Sequence, residues 1–495
     1  MFEQLIVNSS DAQSLGNYIS SNQLLIDEFV NSSIESQRQQ ESLFQQFVLL
    51  NSRIQIMDSL DFTKSTNRAF IAILFDYAER VNAVAVAVQL YQIIQRHNLG
   101  IGSRLEASML YLYNVPNNQV YVDRFDEICS KLQIAIDEED DNDNRAIATF
   151  LNYYSSVVYN TSPHTHFAQD IISKVNASVD TYPFLQKEDI TESLSLDINQ
   201  AEMVYLSIQT TIDRLLGKQR RLIAINDVGF IIESNTNYAQ LLSNCPRRFN
   251  SIRDIAISQL QEIQNSDEVF RSLGRGVAIL EQEEQLFSYM KSYGLMHKAK
   301  LLAAFSHFPF NEIKDKSIDI NDWSCGQGLA SIVLLEYLMD NNIVMNINRI
   351  TLIEPSEIAL KRASLHVKHF DSEVTVRTIL KDMDSLEIAD VSSIEGNAQI
   401  HLFSNILDVE TYSMQHLIEI IKQGFKGNNY MFCVSPCIND VKTARLDSFV
   451  NSFSEMPQFN MIFQDIASRG EWTNNWTKLI KTFKVDICNK HLYFG

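Results

Sequence analysis

Residues 318–332 read IDINDWSCGQGLASI, and the heptapeptide Asp322–Gly328, DWSCGQG, decides the fold of the carboxyl-terminal part of the chain. The chain has only 15 glycines in 495 residues, yet Gly326 and Gly328 stand here at alternate positions. A strand-like apolar run precedes them, and a run with helical spacing follows. Two glycines between a strand and a helix indicate a sharp turn whose backbone can approach a ligand closely.

From residue 316 onward, short strand patterns alternate with helical patterns. Strands are predicted over 317–323, 349–355, 373–380, 398–406 and 429–436, with two more at 460–466 and 484–494. Helices are predicted at LASIVLLEYLMD, SEIALKRASLHVKHF and SMQHLIEIIKQGF. This alternation predicts an α/β doubly wound, Rossmann-like domain with a mostly parallel sheet. Ligands in such sheets bind beyond the carboxyl ends of the strands, where the strand order reverses, and DWSCGQG is expected there.

The amino-terminal part has helical periodicity and almost no strand signal. Residues 67–98 predict a helix pair that breaks near residues 80–82. Further helix pairs follow, which predicts a mostly α-helical, solenoid-like region over residues 1–180, although no repeat period can be assigned. A mixed, mostly helical connector is expected over 181–284, with 221–234 as strand or buried helix. The α/β domain is expected over 285–495.

Composition and charge limit the kinds of binding partner that are expected for the chain. Hydrophobic residues make up 45% and charged residues 21%, as in an ordinary globular protein, while the net charge is -20 and the pI about 4.9. No block of Lys and Arg stands out, so DNA binding has no signal and an RNA substrate gains no support from charge. The chain lacks a signal-peptide pattern and a run of roughly 20 apolar residues, so no membrane association is expected. Six scattered cysteines suit reduced thiols, and a cytoplasmic location is expected. The helical arm is expected to bind a protein partner.

With these landmarks in place, residues 285–495 resemble the class I S-adenosylmethionine-dependent methyltransferases. DWSCGQG looks like the first motif of that family, an acidic residue followed by a glycine-rich turn. The resemblance implies that Asp322 holds the amino group of the methionine moiety, while Ser324, Cys325, Gly326 and Gly328 line the turn. Ser324 replaces the first glycine of the usual triplet, a replacement that is accommodated where its φ is negative.

Later landmarks follow in the family's order. LIEPS places Glu354, followed by Pro355, at the end of the second strand, where the family's carboxylate accepts hydrogen bonds from both ribose hydroxyls. LKDMDSL, after the third strand, resembles the adenine contact. The resemblance implies that Asp382 accepts from the exocyclic amine and that Met383 covers the ring, with Asp384 as the alternative after a small register shift.

LFSNILDV ends the fourth strand, so the resemblance implies that Ser404, Asn405 and Ile406 face cofactor and substrate. The implied cofactor is S-adenosyl-L-methionine. NAD is the main rival, because residues 326–331 approximate G-x-G-x-x-G/A. Against NAD, Ser331 stands where that fingerprint has its third small residue, and Asp322 precedes the turn where an apolar residue is usual.

The methyl acceptor and the catalytic residues stay open. The Asn/Asp-Pro-Pro-aromatic motif of exocyclic-amine methyltransferases is replaced by Ser-Asn-Ile-Leu. CVSPC, Cys433 to Cys437, offers a thiol at the fifth strand, but the companion proline-cysteine of cytosine-C5 enzymes is missing, and structural thiols are favoured. No CxxC pair is present, so no metal is expected. A general base from His297, His307 or Tyr293 is an alternative to structural roles for them.

Two functions therefore remain. The first is an active methyltransferase of unknown acceptor, with a helical arm that recruits a partner or substrate. The alternative is a catalytically inactive methyltransferase fold retained as an interaction or scaffold protein, which the serine in the turn and the missing acceptor motif suggest. LIEPSEIALKRA also resembles, faintly, the mitochondrial small-ribosomal-subunit methyltransferase-like family.

Overall fold

The chain divides into two units, Met1–Arg220 with Ile438–Ala444, and Arg221–Cys437 with Arg445–Gly495. A computed structural model describes residues 1–30, 37, 39–49, 51–81, 83–138, 143–216, 231–233, 236–391, 393, 396–456 and 458–487. The expectations for residues 221–230 and 234, and for residues 488–494 of the last predicted strand, lie outside these described residues. Among the described helices, none has the length and apolar character needed to cross a bilayer.

The first unit is helical throughout its regular described elements. The predicted helix pair is confirmed as Ser65–Arg80 and Val84–Arg96. The α-helices of this unit are Phe2–Asn8, Ala12–Ser21, Gln23–Val30, Glu41–Leu49, Asn51–Asp58, Ser65–Arg80, Val84–Arg96, Ser103–Leu112, Gln119–Asp123, Phe125–Glu138, Asp143–Thr161, His166–Ser178, Glu188–Leu194 and Ala201–Leu216. The helical character of the amino-terminal region is thus confirmed, whereas solenoid-like stacking stays a prediction.

A buried ionic network lies between helices of the first unit. Arg104 donates to Asp76 Oδ1 at 2.7 Å, and Arg80 also pairs with Asp76. Tyr111 donates its hydroxyl to Glu79 Oε1 at 3.0 Å. Burial raises the pKa of Glu79, whereas at Asp76 the guanidiniums of Arg104, Arg80 and Arg145 together outweigh burial and hold the pKa well below its usual range. These charges are buried in pairs, the arrangement that a low-dielectric interior requires.

The second unit contains a seven-stranded sheet, which confirms the α/β doubly wound prediction. Its strands are β1 (Ser317–Trp323), β2 (Asn346–Ile353), β3 (Thr375–Ile379), β4 (Ala398–Ser404), β5 (Gly427–Ser435), β6 (Asn460–Ala467) and β7 (Lys478–Ile487). The order is β3-β2-β1-β4-β5-β7-β6. The first five strands are parallel, and β7 runs antiparallel to both β5 and β6. Strand β7 begins six residues before the predicted 484–494, and the prediction beyond residue 487 lies outside the described residues.

Helices cover both faces of this sheet. We label only the helices that lie wholly or partly in the second unit: α1 (Asn237–Ser243), α2 (Phe249–Gln261), α3 (Ser266–Ser272), α4 (Glu283–Phe305), α5 (Leu329–Asp340), α6 (Glu357–Phe370), α7 (Met414–Gly424) and α8 (Asp440–Ser454), whose first residues up to Ala444 are assigned to the first unit. Ile318 and Ile320 of β1 share one core with residues of α4, α5 and α6. On the opposite face Trp323 stacks on Phe403 at 5.6 Å, and Phe403 contacts Phe449 of α8 at 5.0 Å. This alternation along β1 follows from the two-residue period of a strand.

The strand order reverses between β1 and β4. Strand β1 pairs with β2 on one side and with β4 on the other, each in parallel register. The connections after β1 and β4 therefore leave the sheet in opposite directions and open a crevice at the carboxyl ends of these strands. The predicted site residues follow β1, β2, β3 and β4, so the fold brings them to this one edge of the sheet.

Candidate functional site

The turn between β1 and α5 has three residues with left-handed backbone conformations. Gly326 has φ +52° and Gly328 has φ +76°, values that glycine adopts freely. Ser324 has φ +48°, so the negative φ that would accommodate a serine at this position does not occur. A left-handed conformation costs a residue with a Cβ about 1–2 kcal/mol. The turn therefore stores strain at the place where the resemblance leads us to expect a third glycine.

The two glycines serve different purposes. A Cβ atom on Gly328 would lie 3.2 Å from both Cα and Cβ of Ala363, so this glycine allows α5 to pack closely on α6. A Cβ atom on Gly326 would meet nothing within 4 Å, so this glycine borders open space. Gly328 also caps the amino terminus of α5. Only Gly326 has the open surroundings expected of a backbone that faces a ligand.

Glu354, directly after β2, is tied to the turn. Its Oε2 accepts a hydrogen bond from the Gly326 N–H at 2.9 Å, and its Oε1 accepts one from the Ser356 N–H at 3.0 Å. Glu354 is 8% exposed, and burial raises its pKa to about 7, although the two backbone hydrogen bonds oppose the rise. Pro355, between these two residues, is half-buried. The motifs after β1 and β2 thus form one site.

Asp322 lies deeper, and its side chain forms hydrogen bonds with the helix that follows. Its Oδ2 accepts hydrogen bonds from the Ser331 N–H at 3.1 Å and from the Ser331 Oγ at 2.7 Å. These bonds satisfy a donor in the first turn of α5. Burial raises the pKa of Asp322 to about 7, the Ser331 hydrogen bonds oppose the rise, and the Glu354 charge adds to it. Cys325 is buried beside these carboxyls, and burial raises the pKa of its thiol well above the ordinary range.

The residues after β3 have local contacts. Asp382 Oδ1 accepts from the Ser385 N–H at 2.8 Å and caps a short 3₁₀ turn. Met383 is buried. Asp384, the alternative to Asp382, accepts from the Ser413 N–H at 2.7 Å. Asp384 therefore forms a hydrogen bond with the start of α7, while Asp382 lies close to the end of β3.

A polar cluster from α4 and β4, which we call the β4-end cluster, comprises Tyr289, His297, Lys300, Ser404 and Asn405. His297 Nδ1 lies 3.3 Å from Ser404 Oγ, and its Nε2 lies 3.4 Å from the Tyr289 hydroxyl. Lys300, which is fully buried, donates to Asn405 Oδ1. Burial, and to a lesser extent the Lys300 charge, lowers the pKa of His297 to about 3, so this imidazole is neutral at physiological pH.

Sequence reasoning named three members of this cluster and missed Lys300 and Tyr289. Lys300 lies 105 residues before its partner Asn405, and nothing in its local sequence singles it out. The other residues proposed as bases have different surroundings. His307 is exposed and stacks on Phe463 at 3.8 Å, while Tyr293 stacks on Phe270 and contacts Tyr289 at a tilted angle.

The two cysteines of CVSPC have different surroundings. Cys433 is buried within β5, and burial raises the pKa of its thiol well above the ordinary range. Such a thiol remains protonated, which disfavours nucleophilic attack. The backbone N–H of Cys437 donates to Thr477 Oγ1 at 3.0 Å. Within the described residues, no group of three or more His, Cys, Asp or Glu side chains is placed to hold a metal ion.

Comparisons with known proteins were made for sequence and for structure. No protein-family model and no curated protein matches the chain. A S-adenosylmethionine-dependent methyltransferase from Leishmania major is similar at TM-score 0.29 and 13% identity, over 44% of this chain and 81% of its own. A protein from Listeria monocytogenes assigned to the class I methyltransferases is similar at TM-score 0.29 and 11% identity, over 77% of this chain and 92% of its own. The plantazolicin methyltransferase BpumL, solved with S-adenosylhomocysteine, is similar at TM-score 0.27 and 11% identity, over 47% of this chain and 100% of its own.

The class of the second unit follows from its own sheet. Five parallel strands in the order β3-β2-β1-β4-β5, extended by an antiparallel β7 and by β6, form the seven-stranded sheet that the resemblance to class I methyltransferases implied. The glycine turn, the carboxylate after β2 and the polar residues after β4 occupy the expected edge. The second unit therefore has the class I methyltransferase fold.

Proposed function

We propose that the chain binds S-adenosylmethionine at the carboxyl edge of the sheet and transfers its methyl group to an acceptor. The hydrogen bond from the Gly326 N–H to Glu354 Oε2 supports this proposal most directly. It joins an open-sided glycine turn and a carboxylate at adjacent strand ends, next to the point where the strand order reverses. An adenosyl cofactor needs that combination of close backbone approach and paired hydrogen-bond acceptors.

The chemistry of the residues fits the cofactor. Each oxygen of the Glu354 carboxylate accepts one backbone N–H, and each has a further lone pair that can accept from a ribose hydroxyl. Because Gly326 has no Cβ and borders open space, there is room beside it for the methionine moiety. Asp382 and Met383 follow the next strand and would hold the adenine ring. Asn405 Nδ2 is buried without a hydrogen-bond partner among the described residues, as a donor awaiting a ligand would be.

The cofactor, when bound, supplies an electrophilic methyl group on its sulfonium. The work of this chain is then to bind both reactants, align them and exclude water. Glu354 and the glycine turn would hold the nucleoside and the amino-acid end, while the β4-end cluster would border the reacting atoms. Through Ser404 or Tyr289, the neutral His297 can accept a hydrogen bond from the methyl acceptor or donate one to it.

Isothermal titration with S-adenosylmethionine tests the proposal. Glu354→Ala should weaken binding by about 1.5–3 kcal/mol, a roughly tenfold to 150-fold rise in Kd, because it removes hydrogen bonds to a charged group. Glu357→Ala is the matched control: Glu357 is an exposed carboxylate in the first turn of α6 that pairs with Lys361 at 2.6 Å. Its loss should leave the Kd unchanged. Equal Kd values for wild type and Glu354→Ala would contradict the assignment of Glu354.

The left-handed Ser324 and the engaged Asp322 favour the second function, a fold kept for interaction without catalysis. A folded wild-type chain that releases no heat with S-adenosylmethionine would favour that function. If the cofactor binds, transfer of a radiolabelled methyl group to components of a native lysate would identify the acceptor class. We further propose that the helical first unit recruits the acceptor or a partner protein. The full chain is therefore the form to use in the screen.

A further inference from the structure

Asn405 has an unusual position at the end of β4. Its φ is +56°, a left-handed conformation that asparagine tolerates better than most residues. Its backbone N–H donates to Val434 O of β5 at 2.7 Å, which ties this residue to the neighbouring strand. The backbone therefore holds Asn405 at the edge of the sheet that carries the glycine turn.

Lys300 sets the orientation of that amide. An ammonium group only donates hydrogen bonds, so Asn405 must present Oδ1 to it and turn its Nδ2 group the other way. The Nδ2 group is buried and has no hydrogen-bond partner in the part of the chain that the structure describes. An unsatisfied buried amide donor is unfavourable, because it has lost its hydrogen bonds to water, and a ligand oxygen that accepts from it would remove this penalty.

The surroundings favour an anionic ligand. Among the described residues, the side-chain hydrogen bonds of Ser404 and Asn405 lead to His297 and Lys300, and none of them leads to a carboxylate. His297 is neutral and can donate from Nδ1 to Ser404 Oγ, which frees the Ser404 hydroxyl hydrogen for another acceptor. The end of β4 thus presents hydrogen-bond donors beside a buried positive charge.

The position indicates which anion this is. Strand β4 pairs directly with β1, so the end of β4 lies about 4.8 Å along the sheet from the strand that leads into the glycine turn. A methionine moiety that lay against Gly326 would have the end of β4 as a neighbour, within reach of its carboxylate.

We propose that Asn405 donates its Nδ2 hydrogen bond to the carboxylate of the cofactor's methionine moiety, and that Lys300 is the positioning residue that orients the amide. This inference rests on the proposed function and deepens it. It gives the amino-acid end of the cofactor a hydrogen-bond donor at the end of β4. Asp322, the other residue expected to bind this end, also accepts hydrogen bonds from the first turn of α5.

Two nucleosides separate this contact from general damage to the site. S-adenosylhomocysteine carries the amino-acid carboxylate, whereas 5′-methylthioadenosine has the same nucleoside and thioether but no amino acid. In titration calorimetry on the full chain, Asn405→Ala and Lys300→Met should weaken S-adenosylhomocysteine about tenfold or more, the scale of one charge-assisted hydrogen bond. Both variants should bind 5′-methylthioadenosine within roughly twofold of wild type. Lys300→Arg should restore most of the loss, because arginine also donates to Oδ1.

Asn405→Asp keeps the test decisive if Lys300→Met does not fold, since it leaves the lysine in place. The new carboxylate should pair with Lys300 and repel the ligand carboxylate, so S-adenosylhomocysteine should weaken more than in Asn405→Ala. Equal losses for both nucleosides, or no loss for either, would overturn the inference while leaving the proposed function standing. A folded wild-type chain that binds neither nucleoside would overturn both.

Discussion

The backbone N–H of Gly326 donates a hydrogen bond to Oε2 of Glu354 at 2.9 Å, across two neighbouring strand ends of the second unit. The two residues are separated by 28 positions in the chain. The bond holds the glycine turn against the carboxylate and places both at the edge where the strand order reverses. Within the described residues, the hydrogen bonds of the buried Glu354 carboxylate come from the backbone N–H groups of Gly326 and Ser356.

Cofactor binding should depend on pH through Glu354. Burial raises the pKa of Glu354 to about 7, and ribose hydroxyls donate to the ionised carboxylate. The affinity for S-adenosylhomocysteine should therefore fall as the pH decreases through 7, by up to about tenfold per pH unit below the pKa. Calorimetry between pH 8 and pH 5.5 measures this. Glu354→Gln, which cannot titrate, should bind more weakly at pH 8 and show a flatter profile. A steep profile in that variant would assign the dependence to another group.

Gly328→Ala should destabilise the second unit more than a glycine replacement in an open turn. The added Cβ would lie 3.2 Å from backbone and side-chain atoms of Ala363, at φ +76°. We expect a loss of about 2–4 kcal/mol from the left-handed backbone and the overpacking together. Gly470→Ala is the control, because Gly470 has φ +86° and no atom within 4 Å of the added Cβ. It should lose only about 1–2 kcal/mol. Urea unfolding measures both, and equal losses would show that α5 and α6 do not constrain this position.

Asp322 should make the stability of the second unit depend on pH. Its pKa rises from 3.8 to about 7 on folding, so the folded chain holds this proton more tightly than the unfolded chain. The resulting stability is fully present below pH 4 and is lost as the pH rises through 7, at up to about 1.4 kcal/mol per pH unit. Asp322→Asn keeps an acceptor for Ser331 but cannot titrate. The free energy of unfolding of Asp322→Asn minus that of wild type should therefore be more positive at pH 8 than at pH 5. Chemical unfolding at the two pH values measures this difference. A difference that is constant with pH would contradict this assignment.

The buried ionic network of the first unit should be sensitive to the loss of one partner. Arg104→Met leaves Asp76 and Glu79 with less compensating charge in the interior and should cost about 3–5 kcal/mol. Lys131→Met is the control, because Lys131 pairs with Glu106 at 2.7 Å in a solvent-accessible position, where the two side chains are 26% and 49% exposed. It should cost less than about 1 kcal/mol. Unfolding followed by far-ultraviolet circular dichroism compares the two variants. Similar small losses would indicate that water reaches the network.

Strand and helix patterns were predictable because burial on both faces of a parallel sheet imposes them locally. The run SIDINDW became β1 over Ser317–Trp323 as predicted, and the helix pair over residues 67–98 has its break where it was expected. Strand β7 begins earlier than predicted, at Lys478. It pairs antiparallel with β5, and its alternating polar residues give a weaker signal than a fully buried strand.

Roles at the site were less predictable than positions. Gly326 and Gly328 look alike in DWSCGQG, yet one borders open space and the other packs on Ala363. Asp322 was predicted to hold the cofactor, and whether it does stays a prediction, but its contacts with Ser331 give it a capping role as well. Lys300 could not be chosen from the sequence, because its only distinguishing feature is burial against a residue 105 positions away.

By itself the sequence determined the α/β class, the order of its elements and the set of residues that end successive strands, because periodicity and glycine placement are local consequences of backbone sterics. Only the tertiary structure decided which of those residues meet. The strand order places the ends of β2, β1 and β4 side by side, and helix packing brings Lys300 within hydrogen-bonding distance of Asn405. Contacts between residues far apart in the chain depend on how the elements pack, and so do the pKa shifts that burial causes. Neither can be predicted from the sequence of a single segment.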